Sequence, residues 1–370
     1  MERSVSSSAK PRILFILHLP PPVHGAALVG SFIRDSRAVN DAFEGRYVNL
    51  SASSRLEQVG RFSFGKVAGV FRRLREVRST VREWKPDLVY ITPCSTMPGL
   101  LKDALTARAA RRSGGKVLLH FHNKGVAARH DRLLDDRLYR ILFRDARVIL
   151  LSPLLYPDVR KYVPKNRVSY CSNGVSVPDV VRVPESVPSL LFLSNMLRSK
   201  GTDILLDACR VLKERGIAFR CSLVGAPSAD YPGDSLAGEI RRKGLDGCVH
   251  YEGPQYGEGK WEAFSKADVF VHPTLNDCFP LVILEAMGTG LPVVATGEGA
   301  IPEMVRSGVD GLIGPKGDPV ALADALEYLL SDAGLRKRMG DSGKERYHAC
   351  YTREAFERRF VEILKTCCDA

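Results

Sequence analysis

Continuous apolar runs alternate with amphipathic stretches along most of this chain, and the two patterns predict different elements. Residues 13–17, Ile-Leu-Phe-Ile-Leu, are apolar without a break, the pattern of a strand buried on both faces. Segments 87–91, 117–122 and 147–151 also read as strands in the first half, and 190–193, 219–224, 268–271 and 291–295 in the second, though not all are unbroken. Helical stretches at 26–34, 67–85 and 202–215 lie between them. In the second of these, Val67, Val70, Phe71, Leu74, Val77 and Val81 recur at the helical period, with Arg75, Arg78, Arg82 and Lys85 on the other face and Pro86 as the stop. Strands that alternate with helices imply an α/β fold built on doubly wound parallel sheets. A chain of 370 residues suits two domains better than one core. The stretch 173–188, rich in Val, Pro and Ser with no helical period, is the expected linker. We therefore expect a disordered tail over 1–10, domains at 11–185 and 186–350, and an amphipathic helix within 351–370.

Composition narrows the class. Hydrophobic residues make up 45% and charged residues 26%, values of a soluble globular protein. No apolar run approaches the roughly 20 residues that span a bilayer, and the Ser-rich N-terminus lacks the apolar core of a signal peptide. The nine cysteines are scattered without C-x-x-C pairs, which argues against a disulfide framework or a zinc site. Cys367-Cys368 completes no lipidation motif. A reduced, cytoplasmic protein is expected. The charge is uneven: residues 1–185 hold 32 Lys and Arg against 16 Asp and Glu, the remainder 22 against 26. The first half is thus expected to meet something anionic.

The richest chemistry lies in the second half. Ligands of open parallel sheets bind beyond the carboxyl ends of the strands. Three polar clusters fall at such ends: Asn195 to Gly201 with Arg198 and Lys200, Gly225-Ala-Pro227, and Asn276 to Pro280. Pro280 is expected at the first position of a helix, leaving the N–H groups of Leu281, Val282 and Ile283 open to an anion. Asp277 precedes this helix and Glu285 lies within it, among Leu281, Val282, Ile283, Leu284, Ala286 and Met287. A carboxylate in that setting needs a partner. A ligand hydroxyl and a neighbouring Lys or Arg satisfy the need equally well. In the first half, strand alternation puts His120 and His122 on one face, with His122 nearer the crevice. His18, His130, His250, His272 and His348 read as ordinary hydrogen-bonded residues.

These residues together resemble the retaining GT-B glycosyltransferases called group 1 or family 4. Residues 276–296 are similar to the family's E-x7-E segment, continued by Gly299-Ala-Ile-Pro-Glu303 and Asp310-Gly-Leu-Ile313. Ser194 to Gly201 is similar to its G-R-x4-K-G donor loop, and Pro20 to Gly25 to its loop after the first strand. Two positions depart from the pattern: Asp277 stands where the family has Glu, and Asn195 where it has Arg, with Arg198 close enough to substitute.

The resemblance implies two Rossmann-like domains facing across a cleft, with a C-terminal helix that can return to the first. It implies transfer of a sugar from a nucleotide diphosphate sugar, UDP-sugar ahead of GDP-sugar, to a glycan or lipid-linked acceptor in cell-surface polysaccharide synthesis. No cofactor and no metal are expected. Lys200 and Arg198 would neutralise the diphosphate, aided by the helix start at Pro280, Leu281 and Val282. Glu285 would bind the ribose, and Asp277 with Cys278 and Phe279 the donor sugar. Asn195 and Gly225 would line the donor, His122 would stand near the anomeric carbon, and His24-Gly25 would face the acceptor. The basic first half would lie on an anionic membrane surface, with peripheral attachment. A nucleotide-sugar epimerase or hydrolase on the same fold is the nearest alternative. A non-enzymatic nucleic-acid binder is a further one, disfavoured because Phe71 and Trp84 sit on the apolar side of the basic helix.

Overall fold

The computed structural model describes residues 10–21, 25–50, 64–183, 186–232 and 234–369. His24 and nearly all of the expected tail lie outside them. The chain forms two compact units, residues 1–173 with 354–370, and residues 174–353. The C-terminal helix Arg353–Asp369 thus returns to the first unit. There Phe360 packs edge-on against Tyr90 at 5.4 Å, and Arg359 donates to the Ser172 carbonyl at 3.1 Å.

The first unit holds β1 (Arg12–Leu17), β2 (Glu44–Asn49), β3 (Leu88–Ile91), β4 (Val117–Phe121), β5 (Arg147–Leu150) and β6 (Val168–Tyr170). They form one parallel sheet in the order β2-β1-β3-β4-β5-β6. The second unit holds β7 (Ser189–Leu193), β8 (Arg220–Val224), β9 (Val249–Gly253), β10 (Val269–His272), β11 (Val293–Thr296) and β12 (Gly311–Gly314). Its order is β12-β11-β10-β7-β8-β9, again all parallel. Strand order reverses between β7 and β10, the switch point at which such sheets open a crevice for ligands.

The central strands β1, β3, β4, β10 and β11 are buried almost throughout, as their unbroken apolar runs require. The basic helix runs Phe64–Trp84, with Leu74, Val77, Val81 and Trp84 buried. Phe71 departs from the expected apolar stripe: it is 68% exposed. It lies at the stripe's margin, so it stands in solvent beside Arg72 and Arg75.

Candidate active site

The carboxyl ends of β7 and β10 are locked together before any side chain is considered. After β7 the chain makes a short 3-10 turn, Arg198–Lys200, that ends at Gly201 with φ +84°. A Cβ there would stand 2.0 Å from the Pro273 carbonyl, so only glycine lets the turn reach the β10 loop. The Ser199 carbonyl then accepts from the Leu275 N–H (2.9 Å), the Asn276 N–H (3.1 Å) and the Thr274 hydroxyl (3.2 Å). Gly225 brings the β8 loop equally close, since a Cβ on it would meet the Ser194 carbonyl at 1.8 Å.

This backbone places Lys200 against Asp277. The ammonium donates to Asp277 Oδ2 at 2.6 Å and to the Asn276 carbonyl at 3.3 Å. His272, the last residue of β10 and 1% exposed, reaches the same oxygen through Nε2 at 3.3 Å. Oδ1 accepts the Cys278 N–H at 2.9 Å. Burial alone would raise the Asp277 carboxyl, but the His272 hydrogen bond and the Lys200 charge hold it down at about 2. Behind it, the buried Glu298 accepts the Asp277 N–H at 3.4 Å and the Lys316 ammonium at 2.6 Å. Gly299 permits this approach, because a Cβ would meet the Asp277 carbonyl at 2.4 Å.

The helix after β10 runs Leu281–Gly288. Pro280 is its cap rather than its first helical residue: with ψ 112° it is still extended, and its carbonyl accepts the Ile283 N–H at 3.2 Å. The open donors are therefore those of Leu281 and Val282, which have no acceptor among the described residues, and Ile283 is removed from the expected set. Glu285 is held by the Lys260 ammonium at 2.9 Å. That lysine comes from the helix Glu258–Lys266 and also lies over the Trp261 ring at 4.2 Å. Burial pushes the Glu285 carboxyl up, and Lys260 only partly opposes it.

The other expected residues divide. Cys278 and Phe279 are buried, with Phe279 edge-on to Tyr351 at 6.3 Å, so their side chains are part of the core. Asn195 is exposed. Arg198 pairs with Asp203 at 3.1 Å and lies over the Tyr231 ring at 5.6 Å. In the first unit, His120 and His122 share a face with ring centroids 4.1 Å apart. His120 is buried, accepts or donates to the Tyr90 hydroxyl at 2.8 Å, and is held well below the usual histidine range by burial and by His122. Gly25 opens the helix Gly25–Arg34 and is exposed. His272, Glu298, Lys260 and Lys316 were not legible as site residues: His272 ends the buried β10, Lys260 comes from a separate helix, and Glu298 and Lys316 come from the loops after β11 and β12. Among the described residues no group of three or more His, Cys, Asp or Glu is arranged to hold a metal ion.

Residues 187–332 match the family described as glycosyl transferases group 1. The chain is 25% identical over 278 residues to the putative colanic acid biosynthesis glycosyltransferase WcaL of Salmonella typhimurium, covering 71% of this chain and 68% of the relative. It is 31% identical over 228 residues to the D-inositol 3-phosphate glycosyltransferase of Corynebacterium urealyticum, covering 60% of this chain and about half, 51%, of that relative. Its fold superposes on the crystal structure of Anabaena Alr3699/HepE in complex with UDP-glucose with a TM-score of 0.72 at 20% identity, covering 96% of this chain and 99% of that one. The family match is thus confined to residues 187–332, within the second unit, and the chain as a whole has the GT-B fold.

Proposed function

We propose that the chain is a retaining glycosyltransferase. It takes a sugar from a nucleotide diphosphate sugar, UDP-sugar ahead of GDP-sugar, and delivers it to a glycan or lipid-linked acceptor of a cell-surface polysaccharide. The observation that carries this reading is the convergence of Lys200, Asp277 and the open Leu281 and Val282 N–H groups at the switch point between β7 and β10. The relative named for colanic acid biosynthesis and the structural neighbour holding UDP-glucose support it.

As the glycosidic bond to the diphosphate breaks, negative charge collects on the leaving phosphate. Lys200 and the two N–H groups stabilise that charge, each such donor being worth about 3 kcal/mol. This role needs no metal ion. Glu285 exchanges Lys260 for the ribose hydroxyls, Asp277 accepts from a hydroxyl of the donor sugar, and His122 serves near the anomeric carbon. Cys278, Phe279 and Gly225 contribute backbone rather than side chains to the donor, and His24-Gly25 lies toward the acceptor. Attack comes from the front face, without a protein nucleophile. The basic first unit rests on an anionic membrane surface through Arg75, Arg78, Arg82 and Lys85, all exposed.

A thermal-shift screen against UDP-, GDP- and ADP-sugars, followed by transfer with the best donor, tests the reading. The expected result is UDP-sugar binding and an α-linked product from an α-linked donor. Rapid epimerised or hydrolysed donor without any acceptor would instead mark an epimerase or hydrolase.

A further inference from the structure

His272 looks like an ordinary core histidine at the end of a buried strand. Its surroundings give it a task. Phe270, two residues earlier on the same face of β10, stacks against the ring at 6.2 Å and 13°. Nδ1 has no partner among the described residues, so the ring's polar contact is with Asp277 alone. An ionised carboxylate can only accept, so Nε2 is the donor in this bond.

Asp277 Oδ2 has two donors, Lys200 at 2.6 Å and His272 at 3.3 Å. The function proposed above sends Lys200 to the diphosphate. When it turns, Asp277 loses its shortest contact, and the remaining side-chain donor is His272. An aspartate, one methylene shorter than the glutamate of the family pattern, then depends on that donor to stay aimed at the sugar.

We propose that His272 is a positioning residue of the transfer reaction, holding the Asp277 carboxylate toward the donor sugar while Lys200 serves the diphosphate. This rests on the proposed function, and it assigns His272 no contact with substrate.

The test compares His272→Leu, which keeps the volume and removes the donor, with His272→Gln, whose amide can replace Nε2–H. Binding of UDP alone, binding of UDP-glucose and UDP-galactose, and slow hydrolysis of the better donor are measured for each. The Leu variant should bind UDP within about twofold of wild type, lose the added affinity conferred by the sugar, and turn over about tenfold more slowly. The Gln variant should recover to within about threefold of wild type. In an Asp277→Ala background, His272→Leu should have no further effect on turnover.

Wild-type turnover in the Leu variant would overturn the inference, as would equal loss of UDP and UDP-sugar binding or additive effects in the double variant. If Leu costs the fold, His272→Phe, able to stack on Phe270, supplies the same contrast with Gln. Wild-type protein that binds neither UDP-sugar nor UDP would overturn the parent function and this inference with it, an outcome distinct from the failure of His272 alone.

Discussion

Glu285 and Lys260 meet at 2.9 Å from two different helices, and the pair leaves the carboxyl raised rather than lowered. Its surroundings therefore disfavour the charge even with the lysine in place. A carboxyl whose folded value is raised makes the fold less stable as pH rises through that value. At neutral pH, Glu285→Gln should raise the melting temperature while it weakens nucleotide binding. Differential scanning calorimetry at pH 7 and UDP titration check the two halves, and a lower melting temperature would contradict the electrostatic reading.

Removing the charged groups of the site should separate chemistry from folding. Lys200→Ala and Glu285→Ala are each expected to reduce turnover by about a hundredfold or more, with circular dichroism unchanged. Donor hydrolysis and transfer rates decide it. Addition of EDTA should leave the wild-type rate unaltered, because the proposed function gives Lys200 the role a divalent cation would otherwise fill.

Asp277 has the opposite sign to Glu285. Its carboxyl lies at about 2 against an ordinary 3.8, so its stabilising contribution is present above pH 4 and fades as pH falls toward 2. At about 1.4 kcal/mol per unit this amounts to about 2 kcal/mol. Asp277→Asn should therefore be less stable than wild type at pH 6, with the gap closing as the pH drops to the bottom of that window. Urea titrations at pH 6 and pH 3 measure it.

Two glycines with similar backbone angles should behave differently. Gly201 (φ +84°) has the Pro273 carbonyl where a Cβ would go, whereas Gly216 (φ +74°) has nothing within 4 Å. Gly216→Ala should cost only the left-handed penalty, about 1 kcal/mol. Gly201→Ala should cost about 3 kcal/mol or more and displace Lys200, lowering turnover as well. Denaturation midpoints for both variants provide the comparison.

The eight strands evident as apolar runs are the interior strands of both sheets, and the four that escaped, β2, β6, β9 and β12, are all edges. The reason is burial. An interior strand is covered on both faces and reads largely as Val, Leu, Ile and Phe, although Arg220–Val224 keeps an exposed Arg220 and a half-buried Ser222. The edge strand Glu44–Asn49 buries only Val48 fully, and Val168–Tyr170 buries none of its three residues fully. The site divides similarly. Lys200 and Asp277 were legible because strand ends, a glycine and a proline mark the loops that hold them. Lys260, Glu298 and Lys316 were not, because the contacts that recruit them join separate elements. Phe71 shows the limit of periodicity at the margin of a helical stripe, where one position more or less decides between core and solvent.

The return of the helix Arg353–Asp369 to the first unit orders events during synthesis. The second unit is one uninterrupted stretch, 174–353, and can close its core as soon as it has left the ribosome. The first unit begins earlier but must wait for Phe360 to reach Tyr90 and His120, so it is finished last. Until then Tyr90 and His120 lack their Phe360 contact, and a chain ending before residue 360 would carry a complete second unit and an incomplete first one.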